Sequence, residues 1–184
     1  VMDYALTTEW VLDAPTEAVY AALKTPEAWP RWWRYVEAVV LVRKGDAEGI
    51  GAVHRYTWSS RLPYRLSFDM ETTALTRPSR IEGVARGDLT GTGCWDLATE
   101  NRNARVRYTW RVTTGKRWMN ALAPLLAPVF AWNHDQVMAE GGREVKIKIG
   151  DEELRQPLGP PRVYKVYRFE VHFDSAPRGS RPLA

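Results

Sequence analysis

Of the side chains able to move a proton near neutral pH, this 184-residue chain carries three histidines, His54, His134 and His172, far apart in sequence. None has a cysteine or carboxylate at metal-ligand spacing, so no metal site is expected. The single cysteine, Cys94, has no base close to it in sequence, and no serine sits in a Gly-x-Ser-x-Gly turn, so neither nucleophile arrangement can be assembled. Gly87, Gly91 and Gly93 fall in a strand-like stretch followed by Trp95 rather than by the start of a helix. That context fits hairpin and bulge positions and not a dinucleotide loop, and no cofactor is expected. General acid/base chemistry needs no fixed motif, and His54, Glu82 and Arg86 are its candidates. Asn133 and His134 form a polar pair inside an apolar helical stretch and must find partners if buried. Two placements are open: asparagine bonded to a strand edge with histidine at the surface, or one of the two facing a pocket to orient a ligand.

A sheet and a helix must position these groups. From Arg105 to Thr113, Val106, Tyr108, Trp110 and Val112 share one face while Arg105, Arg107, Thr109 and Arg111 share the other, the period of a half-buried strand. Tyr108 and Trp110 are expected on a concave inner face, with Arg107 and Arg111 in solvent. Further strands are expected over Tyr4–Leu12, Tyr35–Arg43, Gly51–Ser59, Tyr64–Thr73, Arg80–Arg86 and Leu89–Ala98, separated by turn-rich residues as in an antiparallel meander. Asp69 and Glu71, alternating with Phe68 and Met70, are placed to complement the arginines of the 105–111 strand. Pro15 opens a short helix, and a second short segment, Glu27–Trp33, holds Trp29, Trp32 and Trp33, which suit the plug of a barrel-like sheet. Residues 118–140 have helical period, with a kink near Pro124 and a stop at Gly141-Gly142.

The length suits one domain with an appendage: residues 1–142 as the body and residues 143–184 as an extension whose strand-like stretches, Lys146–Ile149 and Tyr164–Phe173, either add edge strands or stay mobile. Its prolines and polar end predict a smaller share of the stability than the body. Nine tryptophans suit both a core and the wall of an organic-ligand pocket. The net charge of +4 is spread among interleaved acids and bases, so no nucleic-acid partner is expected. Trp118–Trp132 is shorter than the roughly 20 residues of a spanning helix, no signal sequence is recognised, and a lone cysteine suits a reducing cytoplasm. The oligomeric state is open, and so is the native start, since Val1 precedes Met2.

Several phrases resemble one superfamily: Trp10-Val11-Leu12-Asp13-Ala14-Pro15 followed by Val19-Tyr20, Trp29-Pro30-Arg31-Trp32-Trp33, Gly87-Asp88-Leu89-Thr90-Gly91, Tyr108-Thr109-Trp110, and Ala123-Pro124-Leu125 leading to Trp132-Asn133-His134. Over residues 1–140 the chain resembles START-like, birch-allergen-like proteins, in a bacterial branch similar to polyketide cyclases and dehydrases. The resemblance implies an α+β helix-grip fold, in which a curved antiparallel sheet of about seven strands wraps a long C-terminal helix, with two short helices after the first strand. It implies a cavity between sheet and helix that holds a hydrophobic molecule, lipid- or polyketide-like. Tyr56, Trp58, Phe68, Met70 and Trp95 are the expected lining from one part of the sheet, and Tyr108 and Trp110 from another. Trp118, Leu122, Val129 and Asn133 are expected to line it from the helix. A carrier is the first expectation; a polyketide aromatase/cyclase or dehydratase, and a protein-interaction module using the tail as an added strand, are the alternatives.

Overall fold

The computed structural model describes residues 2–60, 64–114, 129, 132–144 and 168–173. Strand β1 (Met2–Leu12) leads through Pro15 into helix α1 (Thr16–Lys24) and a 3-10 helix over Pro26–Arg31. Six strands follow: β2 (Val36–Arg43), β3 (Val53–Trp58), β4 (Leu66–Thr76), β5 (Arg80–Gly87), β6 (Leu89–Glu100) and β7 (Asn103–Thr114). Helix α2 is described over residues 132–144, with residue 129 also helical, and β8 (Arg168–Phe173) completes the described elements. The sheet has eight strands in the order β2-β3-β4-β5-β6-β7-β1-β8, every described pairing being antiparallel. The eighth comes from the extension, where Met2↔Phe173 to Thr7↔Arg168 set the register against β1. The expected kink near Pro124 and the stretch Lys146–Ile149 lie outside the described residues.

The alternation read along residues 105–113 survives in three dimensions: Val106, Trp110 and Val112 are buried while Arg105, Arg107 and Arg111 are exposed. The inner face then has to be closed. Trp33, fully buried, stacks at 5.6 Å on Trp32 and packs edge-on to Trp58 at 4.9 Å, while Trp29 lies 5.2 Å from Trp33. This indole cluster seats the 3-10 helix at one end of the sheet, where aromatic rings remove the most apolar area from water per residue.

Two expectations are corrected. Gly141 and Gly142 do not stop the helix; α2 runs on through residue 144. They are the points where α2 meets the cluster, since a Cβ at Gly141 would lie 2.2 Å from Trp33 Cε2 and one at Gly142 2.9 Å from Trp10 Nε1. The Trp33 indole N–H also donates to the Val137 carbonyl at 2.9 Å. Likewise, the acids of β4 do not meet the arginines of β7, because β5 and β6 lie between them. Asp69 instead accepts from Arg55 of β3 at 2.7 and 2.9 Å, and Glu71 from Arg43 and Arg86, each at 3.0 Å.

The arginines of β7 find their acid on β1. Glu9, opposite Arg107 in register and only 8% exposed, accepts from Arg107 Nε at 2.8 Å and Arg105 Nη2 at 3.1 Å. Burial pushes its pKa up, but the hydrogen bonds and charges of Arg107 and Arg105 outweigh this and hold it below the ordinary 4.5. A carboxylate with a depressed folded-state pKa contributes stability above its unfolded pKa and loses it as pH falls through the lower, folded value. Glu9→Gln is therefore expected to lower stability by about 1 to 2 kcal/mol at neutral pH. The gap to wild type in urea melts should close as the pH falls below the ordinary glutamate range. A pH-independent gap would contradict this.

Candidate functional site

Inner-face side chains of β1, β3, β4, β6 and β7 and the buried face of α2 leave a cavity of about 140 Å³. Its sheet walls include Leu6, Leu66, Leu89 and Val112 together with the rings of Trp58, Phe68, Tyr108 and Trp110. From α2 come Asn133, His134, Val137 and Met138, and Ser59, Ser60 and Tyr64 sit beyond the end of β3. The walls are almost wholly apolar. Among their polar groups, the buried Asn133 Nδ2 donates to the Tyr64 hydroxyl at 3.3 Å. The space is comparable to the roughly 150 Å³ of an engineered apolar cavity that takes up benzene.

A second cavity, about 120 Å³, lies toward α1 and the 3-10 helix. Trp58, Phe68 and Tyr108 line both cavities and form the partition between them. Phe68 stacks on Tyr56 at 5.6 Å, and Tyr108 on Trp95 at 4.0 Å and Trp110 at 5.7 Å. Gly93 allows this, because a Cβ there would lie 2.7 Å from the Trp110 ring and 2.8 Å from the Tyr108 hydroxyl. The second cavity is the more polar. His54, buried on β3, has Nε2 3.0 Å from Glu27 Oε1, and Tyr56 and Thr72 share the wall. Burial pushes the Tyr56 and Tyr108 phenols well up, so both stay protonated as hydrogen-bonding groups and not as bases.

At the level of sequence, no family model and no curated protein matches the chain. Solved structures do. The Zhui aromatase/cyclase of a Streptomyces species superposes with a TM-score of 0.68 at 11% identity, covering 83% of this chain and 97% of that one. A START superfamily protein from Mycobacterium smegmatis gives 0.66 at 8% identity, covering 81% and 99%. A major latex-like protein from Panax ginseng gives 0.59 at 10% identity, covering 80% and 98%. The chain shares the helix-grip fold of these structures.

Within that helix-grip frame, the sequence-predicted lining separates into two groups. Trp58, Phe68, Tyr108, Trp110 and Asn133 line the first cavity; Tyr56, Met70 and Trp95 line the second, together with the shared Trp58, Phe68 and Tyr108. Trp118 and Leu122 lie outside the described residues. Val129 is exposed and borders neither cavity. Of the acid/base candidates, His54 borders the second cavity. Glu82 also touches it, with its carboxylate paired to Arg80, whereas Arg86 stands exposed on the outer face, paired with Glu71. The Cys94 thiol is pushed up to about 11, chiefly by burial and then by Asp96, which leaves it protonated near neutrality.

Sequence reasoning passed over Leu66 and Val112, although both continue alternations already read, at 66-68-70 and 106-108-110-112. Glu27 was also passed over, and no local pattern signals it: it meets His54 only because the 3-10 helix folds back over β3. Among the described residues no three His, Cys, Asp or Glu side chains converge as a metal site, and no helix is long and apolar enough to cross a membrane.

Proposed function

We propose that this helix-grip chain binds a hydrophobic or aromatic small molecule in the cavity between its sheet and α2. One observation carries the reading: a cavity of about 140 Å³ whose walls are apolar and aromatic, with few polar groups among them. A filled interior would instead have favoured a protein-interaction module. Aromatic ligands are expected to quench or shift the tryptophan fluorescence, because Trp58 and Trp110 form part of the wall. Trp110→Ala should weaken that binding by about 1 to 3 kcal/mol, the scale of a lost large apolar contact. Leu66→Trp, which fills the space rather than enlarging it, should abolish binding while leaving a cooperative melt. Unchanged titration in a folded Leu66→Trp protein would remove the ligand from this cavity.

A second reading, acid/base catalysis of the aromatase/cyclase or dehydratase kind, is favoured by the His54–Glu27 pair at the wall of the second cavity. A carboxylate that holds one imidazole nitrogen leaves the other to give or take a proton. This reading expects turnover of a poly-β-ketone analogue, abolished by His54→Ala and cut at least about tenfold by Glu27→Gln, within the usual range for a positioned acid/base group. Product analysis by chromatography decides it: absence of any cyclised or dehydrated product leaves the carrier.

A further inference from the structure

Strand β2 lies at one end of the sheet, so the backbone groups it turns away from β3 have no strand partner among the described residues. An open edge of this kind is a template for another strand, and natural edges are commonly guarded by lysine, proline or an inward-pointing charge. From Ala38 to Val42 there is none of these. Val40 is 58% exposed, Leu41 41% and Val42 51%, three consecutive large apolar side chains in water. Ile50, also exposed, lies just beyond, next to the Gly51 carbonyl to which Arg43 donates at 3.3 Å. Among the described residues, only Val129 and Trp132 are large apolar side chains exposed elsewhere, so the apolar exposure is concentrated on this edge. Two bulges, where Glu37 and Val42 have no opposite residue on β3, limit the regular ladder to Ala38–Leu41 and keep any added pairing short.

The residue order of the strand decides what fits it. Residues 37–43 read Glu-Ala-Val-Val-Leu-Val-Arg, with opposite charges at the two ends and apolar residues between. When a second copy pairs antiparallel about a two-fold axis at Val40, Glu37 falls opposite Arg43 of that copy, Ala38 opposite Val42 and Val39 opposite Leu41. An axis moved to Val39 or Leu41 sets Glu37 against Leu41 or Gly45, and Arg43 against Tyr35 or Val39, so the match belongs to one register. Within each copy Glu37 already accepts from Arg65 at 2.9 Å and Arg43 donates to Glu71 at 3.0 Å. Across the join the charges therefore alternate in sign: Arg65 and Glu37 of one copy, then Arg43 and Glu71 of the other. We propose that β2 is the contact strand of a two-fold dimer, joining two copies of the sheet edge to edge through residues 37–43. The short ladder makes it a weak, concentration-dependent dimer. No residue of β2 lines either cavity, so the contact leaves the ligand site as it is.

Sedimentation equilibrium of the full chain over a wide range of concentration tests it. The wild-type chain is expected to pass from monomer to dimer and to stop there, because a two-fold contact closes on itself. Val40→Lys, at an exposed position, brings two ammonium groups together at the axis and should abolish the dimer while the thermal melt stays cooperative. Glu37→Arg and Arg43→Glu should each weaken self-association about tenfold, since either change turns both opposite-charge pairs into like-charge pairs. An equimolar mixture of those two variants restores both pairs and should dimerise as the wild type does. A wild-type chain that stays monomeric at every concentration overturns the proposal, and so does open-ended association or a dimer that Val40→Lys leaves intact. Failure of the mixture to recover the affinity overturns it as well, because the two charges then do not meet across the axis.

Discussion

Phe68→Ala is expected to destabilise the protein by about 3 to 5 kcal/mol, the usual range for emptying a phenylalanine site in a core that cannot collapse around it. Phe68 is 7% exposed, stacked on Tyr56 and 5.8 Å from Trp110, and its neighbours Trp58 and Tyr108 are themselves held in ring contacts. None of these rings can move in to fill the space without leaving another stack. Because Phe68 also forms part of the partition, its loss joins the two cavities. A second, functional effect is therefore expected: ligands too long for either cavity alone should gain affinity relative to single-ring ligands. Urea melts read the first effect and competitive titration of a bicyclic against a monocyclic arene reads the second. A loss below about 1 kcal/mol would show that the core closes over the gap, against the cavity scale used here.

Gly141→Ala should also be strongly destabilising, although alanine is the better helix former by about 1 kcal/mol. The new methyl would sit 2.2 Å from Trp33 Cε2 and 2.4 Å from Cζ2, and Trp33 is fully buried among other indoles. Overpacking of this kind typically costs about 1 to 3 kcal/mol, and here one side of the clash is a helix backbone and the other a ring with nowhere to go. A net loss near 2 kcal/mol is expected. The partner is testable as well: in Trp33→Leu, which clears the indole, Gly141→Ala should become neutral or stabilising. A double-mutant cycle with no coupling would place the penalty in the helix and not at this contact.

Much of the frame could be read from residue order. The side-chain period of a strand is local, so Val106, Tyr108, Trp110 and Val112 declare an inner face, and Arg105, Arg107 and Arg111 an outer one, whatever the sheet does elsewhere. Pro15 at the entry to α1 and the turn-rich breaks between strands are equally local signals. The ring types of the site were legible for the same reason, since Phe68, Tyr108 and Trp110 lie on faces that alternation alone assigns to the interior.

What the tertiary structure decided were the relations between such faces. Gly141-Gly142 has the composition of a helix stop, but indoles distant in sequence press on α2 there, and close approach of a ring to a helix needs glycine as surely as a left-handed turn does. Glu71 and Glu9 are both strand acids beside arginines, yet which arginine each meets follows from strand order, and so from the return of β1 to lie beside β7. The pairing of His54 with Glu27 depends on where the 3-10 helix lands, and the division of the interior at Trp58, Phe68 and Tyr108 on three strands meeting one helix. Periodicity is set by the geometry of one chain segment and is written in its residues; a cavity is the volume that several segments fail to fill, and that is set only when all of them are packed.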